Sequence, residues 1–96
     1  MTKSEILHTV EALIFASGVP IKRSELYDSL PPEVTKKDIN DAIKALDQTY
    51  RDPRGIVLLH IDDKVQFATN PAYGDAVAGA LRPIKERELS RTLLEV

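Results

Sequence analysis

The sequence predicts a mainly α fold with a small β-hairpin, in the α+β class, arranged as a winged helix-turn-helix. Three observations support this prediction. Three stretches have apolar residues at helical spacing, two adjacent six-residue runs favour strands, and the order along the chain is three helices and then the hairpin. In a winged-helix domain such a hairpin covers one edge of a helix-turn-helix core.

The first helix is predicted to follow Thr2 and to end at Gly18. Thr2 and Glu5 have the spacing of a capping box, in which each side chain accepts a hydrogen bond from the other residue's backbone N–H. Glycine readily adopts the left-handed conformation that closes many helices, so Gly18 marks the end. The apolar face of this helix contains Ile6, Leu7, Val10, Leu13 and Ile14.

Two more helices are predicted before the hairpin. A short extended connector, residues 19–21, leads into a helix of about two turns over residues 23–30, which Pro31 and Pro32 end. Thr35 and Asp38 then offer a second helix cap. The third helix follows this cap, and its apolar face contains Ile39, Ala42, Ile43, Leu46 and Tyr50.

The hairpin is predicted from residues 56–61 and 64–69, which meet at Asp62 and Asp63. We expect one face of the hairpin to pack on the helices; its residues are Val57, Leu59, Ile61, Val65 and Phe67. The alternate residues of the first strand, Ile56, Leu58 and His60, are also mostly apolar. This strand is therefore expected to be buried on both faces or to lie beside a partner.

A fourth helix is predicted after Asn70, which caps it, and Pro71, which occupies its first turn. Gly74 and Gly79 weaken the helix, so we expect it to pack closely on a neighbouring element. Its apolar stripe consists of Tyr73, Ala76, Val77, Ala80 and Leu81. Residues 1–83 are assigned to one winged-helix domain, and residues 84–96 to a linker and the start of a truncated second winged-helix domain.

Composition and charge narrow the possible functions. The 96 residues include no cysteine, which excludes disulfides and thiolate metal sites. The chain has neither a secretory signal pattern nor an apolar run of membrane-spanning length, so we expect a cytoplasmic protein without membrane contact. Its serines lack a nearby histidine and its four glycines are scattered, which argues against an enzyme or a cofactor site.

The charges around the predicted recognition helix and wing do not favour DNA. Residues 35–54 carry a net charge of +1 and residues 55–70 a net charge of −1, so the two cancel. DNA affinity depends largely on basic residues that displace counterions from phosphates. The alternative function, a dimeric winged-helix DNA-binding transcriptional regulator, would use Lys36 and Lys37 as candidate phosphate contacts.

Three separated stretches resemble the segregation and condensation protein B family. They are VEALIFASGVPIKRSEL at 10–26, RGIVLLHIDDKVQFATNPAY at 54–73 and LRPIKERELSRTLLEV at 81–96. The resemblance implies a non-enzymatic subunit of the bacterial condensin-like complex, which acts with a kleisin, segregation and condensation protein A, and a structural maintenance of chromosomes ATPase. It also implies two winged-helix domains, homodimers that involve the first of them, and a place at the nucleoid.

The candidate interface residues are Phe15, Ile56, Leu58, Val65 and Phe67. Phe15 lies about 130° around the first helix from the centre of its apolar stripe, at 100° per residue. It is expected either to pack under the connector at residues 19–21 or to anchor a dimer or kleisin contact. We expect either core packing or an interface contact for three residues of the hairpin, Leu58, Val65 and Phe67.

Overall fold

Within residues 1–82, the part of the chain that the structure describes, the computed structural model has four α-helices and one three-stranded antiparallel sheet. The elements are α1 (Lys3–Ser17), β1 (Ile21–Lys22), α2 (Arg23–Ser29), α3 (Lys36–Thr49), β2 (Ile56–Ile61), β3 (Lys64–Thr69), a 3₁₀ turn (Pro71–Tyr73) and α4 (residues 74–82). The predicted winged helix-turn-helix is confirmed. The second domain predicted over residues 84–96 lies outside the described residues.

The predicted helix caps form as the sequence indicates. The backbone N–H of Glu5 donates to the Thr2 hydroxyl at 3.1 Å, and the Thr2 N–H donates to the Glu5 carboxylate at 2.8 Å. Thr35 and Asp38 repeat this arrangement at the start of α3. The hydrogen bond from the threonine backbone N–H lowers the pKa of Glu5 and of Asp38 in each box. Gly18 closes α1 with φ 66°.

The short strand β1 is absent from the sequence-based prediction, which placed an extended connector there. Ile21 pairs with Val65 and Lys22 with Lys64, so the sheet order is β1-β3-β2. The backbone N–H of Arg23 also donates to the carbonyl of Asp63 at 3.0 Å. A two-residue strand is too short to produce an alternating pattern, so only its partner strand reveals it.

The register of the hairpin corrects the predicted core face of β2. Leu58 lies opposite Phe67 and His60 lies opposite Val65. Residues directly opposite each other in an antiparallel pair share one face, so Val57, Leu59 and Ile61 cannot share the face of Val65. The prediction for this face is therefore wrong. Leu58 and Val65 join the buried core, whose other members are Ile6, Val10, Ile14, Leu26, Leu30, Val34, Ile39, Ala42, Ile43 and Leu46.

Tyr50, directly after α3, joins three elements. Its hydroxyl donates to the Glu11 carboxylate of α1 at 2.5 Å, and its carbonyl accepts a hydrogen bond from the Leu58 N–H at 2.9 Å. Its ring meets the Phe67 ring edge-on, with 4.7 Å between centroids. The hydrogen bond to Glu11, which holds the proton on the hydroxyl, raises the pKa of Tyr50. Tyr50 therefore fixes the hairpin to α1 and α3 at one end of the sheet.

Truncation on the two faces of β2 tests the corrected register. We expect Leu58→Ala to lower the free energy of unfolding by about 2–5 kcal/mol, because it leaves a cavity among buried residues. Leu59→Ala, the neighbouring residue on the outer face, should cost less than about 1 kcal/mol. Urea unfolding followed by circular dichroism measures both. Equal losses from the two variants would contradict the register.

The Tyr50 hydroxyl gives a second test, in alkaline solution. Since its pKa is raised in the folded state above the ordinary value of about 10, its hydrogen bond stabilises the fold below that pH. This contribution is lost as the pH rises through the folded pKa of Tyr50. A difference titration of tyrosinate absorbance between the wild type and Tyr50→Phe should show a late-ionising tyrosine. Glu11→Gln should bring that ionisation to lower pH, and an ordinary titration of Tyr50 would refute the contact.

Candidate protein-interaction site

A groove of about 290 Å³ lies between α1 and the base of the hairpin. It is lined by Glu11, Ala12, Phe15, Tyr50, Ile56 and Phe67. Tyr50 and Phe67 are half-buried, while Phe15 is 75% exposed and Ile56 is 47% exposed. The carboxylate of Glu11 accepts the Tyr50 hydroxyl, so the polar atoms at this groove are paired with each other. The remaining surface is suited to apolar side chains.

The structure separates the five candidate interface residues into two groups. Phe15, Ile56 and Phe67 come together at the groove, although they lie on three different elements. Leu58 and Val65 are 8% and 0% exposed and belong to the core, so core packing accounts for their apolar character. The expectation that Phe15 packs under the connector is wrong, because its side chain extends into solvent. The role of all five residues in an interface stays a prediction.

The outer face of the hairpin is a second exposed apolar surface. Leu59 and Ile61 are 38% and 42% exposed, and Val57 on the same face is half-buried. Their cross-strand neighbours on this face are Gln66, Lys64 and Ala68. The sequence showed apolar residues on both faces of the first strand and allowed burial on both faces or a partner. The structure buries one face and leaves the other in solvent.

Helix α4 exposes its apolar stripe as well. Tyr73 and Leu81 are 46% and 43% exposed, Ala76 and Ala80 are exposed, and Val77 is half-buried. A Cβ atom added at Gly74 or Gly79 would meet open space, with no other atom within 4 Å. The expectation that α4 packs closely on a neighbour is therefore wrong within the described residues.

Asn70 connects the residues before the hairpin to the turn that precedes α4. Its buried side-chain amide donates to the Asp52 carboxylate at 2.7 Å and to the Arg54 carbonyl at 2.9 Å. Its side-chain oxygen Oδ1 caps the next turn, because it accepts a hydrogen bond from the Ala72 N–H at 3.0 Å. The sequence predicted the cap but not the two contacts with residues 52–54, which are distant along the chain. These contacts hold Asn70, which precedes the 3₁₀ turn and α4, against residues 52–54.

The two candidate phosphate contacts at the start of α3 already have partners in the protein. The ammonium group of Lys37 lies 3.1 Å from the Asp41 carboxylate, one helical turn away. The ammonium group of Lys36 lies 5.5 Å from the centroid of the Tyr27 ring, a cation–π arrangement. Both contacts are at the protein surface, where such pairs are weak. The Asp41 carboxylate offsets the positive charge of Lys37, whereas the contact of Lys36 with the neutral Tyr27 ring leaves its charge in place.

A polar network covers the junction between α3 and the hairpin. The ring nitrogen Nε2 of His60 lies 2.7 Å from the Asp47 carboxylate. The guanidinium of Arg23 donates to the Asn40 side-chain oxygen at 2.7 Å and lies 3.4 Å from Nδ1 of His60. In DNA-binding winged helices this is the region where the recognition helix and wing approach the duplex. Here the arginine is directed toward the protein itself.

Within residues 1–82, no group of three or more His, Asp or Glu side chains is arranged to hold a metal ion. No helix in the same range has both the length and the apolar character needed to cross a membrane.

The sequence matches the family model described as segregation and condensation complex subunit ScpB over residues 8–96. It is 38% identical over 88 residues to segregation and condensation protein B of Caldanaerobacter subterraneus subsp. tengcongensis, which covers 91% of this chain and 51% of that protein. The protein of the same name from Clostridioides difficile is 31% identical over 96 residues, covering 99% of this chain and 54% of its own length. The chain spans about half the length of these relatives.

Two solved structures share the fold. A conserved hypothetical protein from Chlorobium tepidum matches with a TM-score of 0.69 and 30% identity, over 97% of this chain and 58% of that one. A dimer of an ScpB N-terminal domain complexed with an ScpA peptide matches with a TM-score of 0.70 and 26% identity, over 80% of this chain and 95% of that one. The resemblance predicted from three stretches of sequence is thereby confirmed. The chain belongs to the ScpB family of segregation and condensation complex subunits.

Proposed function

We propose that this chain is a non-enzymatic accessory subunit of the bacterial condensin-like complex, acting in chromosome condensation and segregation. In this role it binds the kleisin, segregation and condensation protein A, and through it the structural maintenance of chromosomes ATPase. It also self-associates as a homodimer and works at the nucleoid in the cytoplasm. Family membership supports the proposal, as does the related N-terminal domain that crystallised as a dimer with an ScpA peptide.

The exposed apolar surface is the observation that carries this proposal. Phe15 at 75% exposure extends beside a groove whose other walls are Ile56 and Phe67. Isolated apolar residues are common on protein surfaces, but a contiguous apolar groove with an exposed aromatic ring is typical of protein-binding sites. The outer face of the hairpin adds Leu59 and Ile61. A partner polypeptide would remove these side chains from water.

The charge distribution supports polypeptides rather than DNA as partners. The hairpin tip carries Asp62 and Asp63, which would repel phosphates. Lys37 and Arg23 are paired with acceptors of the protein itself. An apolar contact surface and a nearly neutral polar surface fit an interaction module.

Co-purification tests kleisin binding. We expect the protein and its cognate kleisin, when co-expressed, to elute together in size-exclusion chromatography, at both low and high salt, because the exposed contact surface is mostly apolar. The kleisin and the protein run separately serve as controls for elution position. Separate elution of the two proteins at every salt concentration would contradict kleisin binding. It would leave the proposed self-association unaffected.

A further inference from the structure

The outer face of the three-stranded sheet combines apolar and basic side chains. Strand β2 contributes a column of three apolar side chains, Val57, Leu59 and Ile61, of which the last two are 38% and 42% exposed. Strands β3 and β1 contribute the other members of this outer sheet face, which are Lys64, Gln66, Ala68 and Lys22. The two lysines are the charged members of this set, so the face is basic at one end and apolar along one strand.

The two lysines of the outer sheet face lie directly opposite each other. Lys22 of β1 pairs with Lys64 of β3, and directly opposite side chains of an antiparallel pair have Cβ atoms about 4.5–5.5 Å apart. Like charges at this spacing repel each other and destabilise the pair of strands. Neither lysine belongs to an ion pair formed among residues 1–82. The protein therefore holds two positive charges together without a carboxylate between them.

Protection of a sheet edge accounts for only one of these lysines. Lysine on an edge strand discourages pairing with another chain, and β1, which carries Lys22, is an edge strand. Lys64 lies on the central strand β3, which is already paired on both sides, so it has no edge to protect. Asp62 and Asp63 in the adjoining turn form no ion pair with it. A carboxylate from another polypeptide would offset both ammonium charges.

We propose that the outer sheet face binds a polypeptide segment in which apolar side chains stand beside carboxylates. The apolar side chains cover the column of β2, and a carboxylate lies between Lys22 and Lys64. Ile61 is directly opposite Lys64, so the apolar and ionic contacts adjoin. The column spans four residue steps, or about 13 Å, which a short segment covers. The inference rests on the proposed role in protein interaction and names the partner chemistry of one face.

Other occupants fit this face less well. A second copy related by a two-fold axis through the face would set the face against itself and bring lysines together without a carboxylate. Phosphates of a nucleic acid or of a membrane surface would also approach Asp62 and Asp63, whose negative charges repel them. A phosphate backbone would leave the side chains of Leu59 and Ile61 in water. An acidic and apolar polypeptide matches both the charge and the apolar column.

Binding of two designed peptides to the protein tests the inference. In the acidic peptide leucine alternates with glutamate, and in the basic peptide lysine replaces every glutamate. Titration of the ¹⁵N-labelled protein with each peptide, followed by amide chemical shifts, reports both the affinity and the position of binding. We expect the acidic peptide to shift amides of β2 and β3 and to bind about tenfold or more tightly than the basic peptide.

Charge reversal at the lysine pair gives a matched comparison. We expect Lys64→Glu to weaken binding of the acidic peptide about fivefold or more, because it places a negative charge where the carboxylate docks. Lys44→Glu makes the same charge change on α3, which packs on the opposite face of the sheet, and should leave binding unchanged. Because Lys64→Glu also removes the repulsion with Lys22, thermal unfolding should show a variant at least as stable as the wild type.

Several results would overturn the inference. They are the absence of shifts on the outer sheet face at millimolar acidic peptide, equal binding of the two peptides, and unchanged binding by folded Lys64→Glu. Tighter binding of phosphatidylglycerol vesicles or duplex DNA through the same two lysines would also overturn it, since the ligand would then be a phosphate. None of these results bears on co-elution with the kleisin, so the inference and the proposed function fail separately.

Discussion

The packing of Leu58 and Val65 against the helices decides what the rest of the molecule exposes. Both residues lie on the face of the hairpin that contains Phe67, and the cross-strand register admits no other assignment. Once they are buried, Val57, Leu59 and Ile61 must face outward, since alternate residues of a strand point to opposite faces. Phe67 then lies at the edge of the core, where it and Tyr50 form the inner wall of the groove.

The same domain architecture that reads DNA in other proteins is used here with a different surface. Winged-helix DNA-binding domains present basic residues on the third helix and on the wing. In this chain Lys37, Arg23 and His60 are held by neighbouring groups, and the wing tip is acidic. The exposed apolar side chains are instead Phe15, Ile56 and those of the α4 stripe. In the proposed function, the fold serves as a frame for apolar contacts with polypeptides.

Local sequence signals predicted the helix ends and the limits of the hairpin, because interactions between residues close in sequence determine these features. The caps at Thr2 and Thr35, the end of α1 at Gly18 and the hairpin limits are each set by residues a few positions apart. Strand β1, the core face of β2 and the tie between Tyr50 and Glu11 depend on partners far along the chain. Sequence periodicity holds no information about those partners.

The candidate site was also predictable only where it depends on the residues themselves and not on distant partners. The apolar character of Phe15, Ile56 and Phe67 was visible in the sequence, but their convergence on one groove required the docking of the hairpin on α1. Close packing of α4 was inferred from Gly74 and Gly79, and the structure instead leaves both beside open space. A glycine-containing helix can be stabilised by another chain as well as by its own domain, and the sequence does not distinguish the two.

In the proposed function, this winged helix presents its surface to proteins and not to the DNA backbone. Fluorescence anisotropy of the protein with duplex DNA at several salt concentrations distinguishes these two possibilities. We expect weak binding, with a binding constant whose logarithm changes little with the logarithm of the salt concentration, because few phosphates would be neutralised. Tight binding with a steep salt dependence, reporting several phosphate contacts, would contradict it.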